Sequence, residues 1–297
     1  MKKSVLIPTE SVNSRTKKLG TASPLQIARM LNAEDFNAAR AARQAAPAIA
    51  KAIECAAETF VSGHKIIFTG AGTSGRLGVL EAVECVPTFG TKASQIIGIM
   101  AGGRDAVFRS IEGAEDDAAQ GGKDLLKKAR KGDFVLGLAA SGNTPYVQGA
   151  LQAARKAGCR TALVACNPWA DTRYADIFIC LNSGPEALSG STRLKAGSAT
   201  KMALNAITTG AMARAGKIYE NLMVDVLPTN AKLTARALRL IRLLTNIDEK
   251  TARRLLQDSG LNVKTAVLMH RKKLTCKQAR DLLKKHRGFL AEALREE

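Results

Sequence analysis

The stretch that most constrains this chain is KIIFTGAGTSGRLG, residues 65–78. A β-prone run (Ile66, Ile67, Phe68) ends in glycines at 70, 72 and 75, and a helix-prone segment through Leu77, Val79, Leu80, Ala82 and Val83 follows. Strand, tight glycine turn and helix start together aim backbone N–H groups and a helix dipole at one spot, which suits a phosphate. Thr73 and Ser74 add neutral hydroxyl donors, and Glu84 follows on the helix. The expected result is half of a phosphate site with a carboxylate beside it.

Three other readings compete for these glycines. Gly70, Gly72 and Gly75 satisfy the dinucleotide pattern G-x-G-x-x-G, which also wants an acid about 20 residues on to hold the ribose. The next strand-like run, Gln95 to Met100, leads instead into Ala101, Gly102, Gly103 and Arg104. A P-loop needs Lys and Ser/Thr where Arg76 and Leu77 stand. The plainest alternative is that the glycines only turn a strand into a helix.

The theme recurs. Asp133 to Ala139 reads as a strand, Ser141-Gly142-Asn143-Thr144-Pro145 as a small-residue turn, and Tyr146 to Ala157 as an amphipathic helix. Strands at Arg160 to Ala165 and Ile177 to Leu181 complete five parallel strands, with both turns at the sheet's C-terminal edge, where open α/β sheets bind ligands. Ser189 to Ala206 is a third hydroxyl-rich segment entering a helix, with Ser191, Thr192, Arg193 and Lys195 at its first turn. Before the first strand, Ser23-Pro24 opens a helix through Ile27, Met30 and Leu31, and a second alanine-rich helix is expected from about Glu34 to Ser62, with Pro47 a kink. The breaker Pro87-Thr88-Phe89-Gly90 should end the helix that carries Glu84 just past that residue. Glu112, Glu115, Asp116 and Asp117 crowd one loop, which otherwise reads as a solvated cap for the helix after it.

From about Leu227 the pattern is helix only: Thr234 to Leu244, Asp248 to Gln257, Asn262 to Met269, Cys276 to Lys285 and Arg287 to Leu294. The formal charge is +19. Residues 227–297 hold 17 Lys/Arg and 7 Asp/Glu, a net of +10, so the excess is concentrated there. Aromatics are only 4% of residues and no nucleic-acid motif accompanies the charge, so a solvated basic face is expected and no specific nucleic-acid partner. Six cysteines and three histidines show no metal-ligand spacing, and buried thiols are expected. Pro8 and Glu10 cut the N-terminal apolar stretch far short of a signal segment, and no run approaches a membrane span, so a soluble, cytoplasmic protein is expected. The domain plan is a polar, unpacked arm (1–22), an α/β domain (23–226) and a basic helical module (227–297).

The stretches GAGTSGRLGVLEAVEC (70–85), PTFG (87–90), AGG (101–103), EGAED (112–116), ASGNTPYV (140–147), GSTRLKAGSATK (190–201) and NLMVDV (221–226) give the chain its identity by resemblance. It resembles the N-acetylmuramic acid 6-phosphate etherases, bacterial members of the sugar isomerase (SIS) fold. Asn143 stands where that family usually carries Arg, and Val83 where Ser is common. The resemblance implies a three-layer, flavodoxin-like fold with a small C-terminal helical region. It implies cleavage of the lactyl ether at carbon 3 of the sugar phosphate, in cell-wall amino-sugar recycling or catabolism, by a homodimer with no redox cofactor or metal. In the open-chain aldehyde the hydrogen on carbon 2 is acidified by the carbonyl, so elimination needs a base there and an acid at the departing lactate oxygen. By the motif match Glu84 is the acid and Glu115 the base, with Glu112 the rival of Glu115. Ser141 and Thr144, with Thr73 and Ser74, are implied phosphate contacts; Ser191, Thr192 and Lys195 are implied substrate contacts. A sugar-phosphate sensor like the glucokinase regulatory protein, and an aldose–ketose isomerase, are the alternatives.

Overall fold

The computed structural model describes residues 7–296. The chain divides into two compact units, one running up to Ala82 and taking in Ser94–Thr208, the other made of Val83–Ala93 and the chain from Thr209 onward.

The first unit is built on five parallel strands: β1 (Ile66–Gly70), β2 (Ile96–Met100), β3 (Phe134–Leu138), β4 (Arg160–Ala165) and β5 (Ile177–Cys180). Their order is β2-β1-β3-β4-β5, the five-stranded parallel sheet expected from the sequence. Every residue of β1 and β3 is buried, as strands covered on both faces require. Ile67, Val135 and Leu163 face the pair α4 (Ala118–Leu126) and α5 (Pro145–Lys156). Phe68 faces the opposite side and lies under α3 (Gly72–Phe89). The strand order reverses between β1 and β3, whose registers align Gly70 with Leu138. The two hydroxyl-rich turns therefore leave neighbouring strands at the sheet's switch point, where a crevice opens.

Glycine sets how closely these layers approach. A Cβ on Gly75 would lie 2.8 Å from both the Gly70 carbonyl oxygen and Met100 Cβ, and one on Gly78 would lie 2.8 Å from Phe68 Cβ. From the strand side, a Cβ on Gly98 would lie 2.6 Å from Val79 Cα. Helix α3 thus rests with its backbone almost on the sheet. On the other face, a Cβ on Gly121 or Gly149 would collide with the carbonyls of Tyr146 and Ala118, so α4 and α5 are pressed together in the same way.

Several boundaries differ from those expected. The two leading helices are α1 (Pro24–Gln44) and α2 (Ala46–Val61), so the break falls at Ala45, eleven residues after Glu34. Pro47 starts α2 instead of kinking a longer helix, because its missing N–H costs nothing in a first turn. Helix α3 runs through Pro87 to Phe89 and stops where Gly90 turns left-handed (φ +63°). Residues 9–16 are tied to the fold, not a free arm, whereas 17–22 are largely exposed; the first six residues of that arm lie outside the described residues. Thr16 Oγ1 donates to the Ala187 carbonyl at 2.8 Å, and Gly190 N donates to the Thr9 carbonyl at 3.0 Å. Beneath them is a buried ionic cluster. Glu34 accepts from Asn13 Nδ2 (2.8 Å), Arg15 Nε (2.5 Å) and the Nζ of Lys195 (2.5 Å). Lys195 opens α6 (Lys195–Arg214).

The second unit has its own core. Helices α7 (Ala231–Thr245), α8 (Glu249–Asp258), α9 (Val263–Arg271), α10 (Cys276–Lys285) and α11 (Leu290–Arg295) bury Leu240, Ile241, Leu256, Val267, Leu268 and Leu290 against Val224 and Val226. Asp248, Asn262 and Thr275 cap α8, α9 and α10 with side-chain oxygens. Asp225 binds Lys264 at 2.8 Å and Lys217 at 3.0 Å. Lys264 Nζ also donates to the carbonyls of Gly216 and Gly288, so a buried cation whose pKa burial depresses is fully coordinated.

Two outcomes are expected. Gly75→Ala should destabilise the protein by about 2 kcal/mol, the usual cost of overpacking. Gly122→Ala in α4, where the new Cβ would sit 3.5 Å from Ala153 Cβ, should be neutral or stabilising by about 0.5 kcal/mol; urea unfolding of both variants checks the contrast. Glu34 is held down to about 2, chiefly by the Arg15 hydrogen bonds. Because its folded value lies below the ordinary 4.5, its contribution is complete above pH 4.5 and lost as pH falls through 2. Glu34→Gln should therefore flatten the stability–pH curve between pH 5 and 2, and at pH 7 should cost about 3 kcal/mol by leaving Lys195 buried without its partner.

Candidate active site

The first turn has the strand, glycine turn and helix start expected from its sequence. Gly72 enters α3 with φ +51°, and Thr73 and Ser74 follow, half-buried, in the first helical turn. Beside them is a cavity of about 130 Å³, lined by Ala71, Gly72, Arg76, Met100, Glu112 and Glu115 among others. Glu115 reaches it from a 3-10 turn, Ala114–Asp116, which Gly113 introduces with φ +73°. Asp117 ends that turn and caps α4 by accepting from Gln120 N at 2.8 Å. Of the two glutamates on this loop, Glu112 accepts from Ser110 Oγ at 3.0 Å. Glu115 makes no comparable bond among the described residues, which leaves its carboxylate available to the cavity.

The second turn is braced from outside. Gly142 adopts φ +76°, Asn143 N donates to Ser141 Oγ at 3.2 Å, and Asn167 Nδ2 donates to the Ser141 carbonyl at 2.9 Å. Gln148 Nε2 donates to the carbonyls of Gly142 (2.7 Å) and Asp171 (2.9 Å). Asn143 Oδ1 accepts from Asp171 N at 3.0 Å, so this side chain ties the turn to the loop after β4. Thr144 is the N-cap of α5, yet its side chain makes no capping bond. Its hydroxyl and the first N–H groups of α5 are thereby left for an anion.

The third segment lies against the first turn, since a Cβ on Gly197 would be 3.6 Å from Thr73 Cγ2. Ser191 and Thr192 are half-buried there. Lys195 is placed differently from a substrate contact: its side chain is fully buried and its ammonium pairs with Glu34. The start of α6 is closed by Glu186, whose carboxylate accepts from Lys195 N (3.0 Å) and Ala196 N (2.8 Å). Burial raises the Glu186 pKa, opposed by those two backbone bonds. Of the segments that the sequence marks as anion turns, α6 is already occupied by the protein's own carboxylate.

Glu84 is exposed in the fourth turn of α3 and is grouped with the second unit. Glu115, Thr73 and Ser74 are gathered at the first turn, Ser141 and Thr144 at its neighbour. The sequence reading missed Arg76, Gln148 and Asn167. Each acts on backbone atoms remote in sequence, and Arg76 was weighed only as the wrong residue for a P-loop.

A sequence profile for the glucokinase regulatory protein N-terminal SIS domain matches residues 48–155. The N-acetylmuramic acid 6-phosphate etherase of Pectobacterium atrosepticum is 48% identical over 288 residues, 96% of this chain and 95% of that one. The protein of the same name from Yersinia pestis (strain Pestoides F) is 46% identical over 96% of this chain and 98% of its own. Among solved structures, the phosphoheptose isomerase of Neisseria gonorrhoeae is similar over 63% of this chain and 99% of its own, at 15% identity and a TM-score of 0.41. With nearly half of all positions identical along almost the whole of both chains, this chain belongs to the N-acetylmuramic acid 6-phosphate etherase family.

Proposed function

We propose that this protein cleaves the D-lactyl ether of N-acetylmuramic acid 6-phosphate, giving N-acetylglucosamine 6-phosphate and D-lactate. The observation that carries the reading is the Glu115 carboxylate, without a hydrogen-bond partner among the described residues and lining a small cavity against the first turn of α3, at the C-terminal ends of β1 and β2. In the open-chain sugar, Glu115 takes the proton from carbon 2. The electron pair left behind forms the carbon 2–carbon 3 double bond as the carbon 3–oxygen bond breaks, and Glu84 gives a proton to the departing lactate oxygen. Water then adds across the double bond at carbon 3. The phosphate sits at the open N-terminus of α5 with Ser141 and Thr144, and Thr73 and Ser74 serve the first turn. Ser191 and Thr192 line the substrate from the third segment, while Lys195 acts from below by holding that segment to Glu34.

Glu84 is exposed in the single chain, and proton delivery to the departing lactate oxygen calls for a site covered from bulk water. A homodimer supplies that cover in this reading. Residues 23–226 form its sugar-phosphate domain and 227–297 its basic module, working in the cytoplasm in amino-sugar recycling. The match to the glucokinase regulatory protein profile favours one second reading, a sensor that binds sugar phosphate without breaking it.

D-lactate release from N-acetylmuramic acid 6-phosphate, assayed in chelator and without nucleotide, is the expected activity; binding of the sugar phosphate with no lactate would select the sensor. Glu84→Gln and Glu115→Gln should each lower turnover by roughly 100-fold or more, the scale of a lost acid or base. A near-normal rate removes that glutamate from the mechanism. Ser141→Ala should raise KM more than it lowers kcat, and the opposite pattern moves Ser141 from binding to chemistry.

A further inference from the structure

We infer that Arg76 is a positioning residue for the Glu115 base, a clamp that fixes the loop carrying that carboxylate. The inference rests on the reading of Glu115 given above. Arg76 sits one turn into α3, and its guanidinium reaches across to a segment far along the chain. Nε donates to the Val107 carbonyl at 3.0 Å, and Nη2 donates to the Arg109 carbonyl at 2.9 Å. Those two carbonyls belong to the 3-10 turn Asp105–Val107 and the residues leaving it. The chain then runs through Ser110, Ile111 and Glu112 to Gly113 and Glu115.

Otherwise this side of the loop is held by apolar contact: Ile111 lies against the Gly102 turn, and Ala114 packs on the core beneath α5. Ala106 is buried, while Phe108 is 82% exposed. The far side of the loop is secured where Asp117 caps α4. Glu115 therefore lies between a helix cap on one side and, on the other, the Ala114 contact and a guanidinium on α3, which supplies the polar anchor for residues 107–109. The anchoring helix is closely packed at this point, because Gly75, immediately before Arg76, lies against the backbone of Gly70. A planar guanidinium sends two N–H groups at a fixed spacing to two carbonyls. An ammonium offers a single point from which both cannot be served with the same geometry. Since a carboxylate displaced by about 1 Å from a reacting carbon costs on the order of 100-fold in rate, a clamp on its loop is felt at the chemical step.

The test uses the full-length protein with Arg76→Lys and Arg76→Ala, alone and combined with Glu115→Gln. Arg76→Lys should lower kcat for lactate release tenfold or more, change KM less than threefold, and shift the limb of the pH–rate profile assigned to the base. Added to Glu115→Gln it should cost less than a further threefold, since the group it positions is already gone. Arg76→Lys within threefold of wild type overturns the inference. So does a rise in KM alone, which would make Arg76 a substrate contact, or a full additive loss in the Glu115→Gln background. Hydrogen exchange keeps the test decisive if the alanine variant folds poorly. In Arg76→Lys, faster exchange should be confined to residues 105–115, and a rise spread over the sheet overturns the clamp in favour of a general structural role. If wild-type protein releases no lactate, the etherase reading fails on its own, and the exchange pattern still decides whether Arg76 holds the loop.

Discussion

The backbone of α3 lies almost directly on β1 and β2, and the rest of the first unit is arranged around that approach. Side chains normally hold a helix about 10 Å from a sheet; here Gly70, Gly75, Gly78 and Gly98 remove them at each crossing point. With the gap closed, the first N–H groups of α3 point at the crevice over the sheet's switch point, and the turn needs only small residues. Thr73 and Ser74 supply hydroxyls without filling the space. The same closeness puts Arg76 within reach of the loop after β2. One steric fact thus serves packing and loop placement together, and leaves the first turn open as the proposal requires.

A second device works where glycine does not. Loop 183–194 has little regular structure, yet it must present Ser191 and Thr192 beside the first turn. It is held by polar contacts from both directions. Residues 9–16 bond to it through Thr9 and Thr16, and Asn13 Nδ2 donates to the Pro185 carbonyl at 3.2 Å. From below, Glu186 caps α6, and Lys195 is drawn onto Glu34. A buried ion pair is a weak source of net stability, but it fixes register, since any other alignment would strand a charge. Glu34 meets Asn13 and Arg15 besides Lys195, so α1, the N-terminal segment and α6 are aligned by one carboxylate.

What the sequence made legible follows from the range of the forces involved. Strand–turn–helix alternation is local, and the five strands, their parallel arrangement and both hydroxyl turns are found where alternation and turn residues put them. The misplaced features depend on distant contacts. A polar stretch such as 9–16 reads as a solvated arm until the chain brings Glu34 and Ala187 to it. The alanine-rich run from 34 onward gives no periodic signal that distinguishes one helix from two, and Pro47 is as acceptable in a first turn as it is costly in an interior one. Glu115 could be singled out because motif and chemistry agree on it. Lys195 could not be separated from a surface lysine, because burial is not written in its neighbours. Asn143 is the converse: a departure from the family pattern that looks like a lost contact but in the fold accepts a hydrogen bond from Asp171 N.

The contrast between the starts of α5 and α6 bears on where the proposed phosphate site lies. Both helices follow hydroxyl-rich segments, and both begin with unpaired N–H groups by construction. At α6 those groups face Glu186, a carboxylate buried among them whose charge they stabilise against the cost of burial. An incoming phosphate would meet a resident negative charge there and be repelled. At α5 the cap residue Thr144 keeps its side chain out of the capping role, and Asn167 and Gln148 take up carbonyls of the turn without touching its N–H groups. The donors at α5 are held in place but not consumed. The difference between a structural cap and a ligand site lies in which atoms the neighbours satisfy, and here the acceptors are satisfied first.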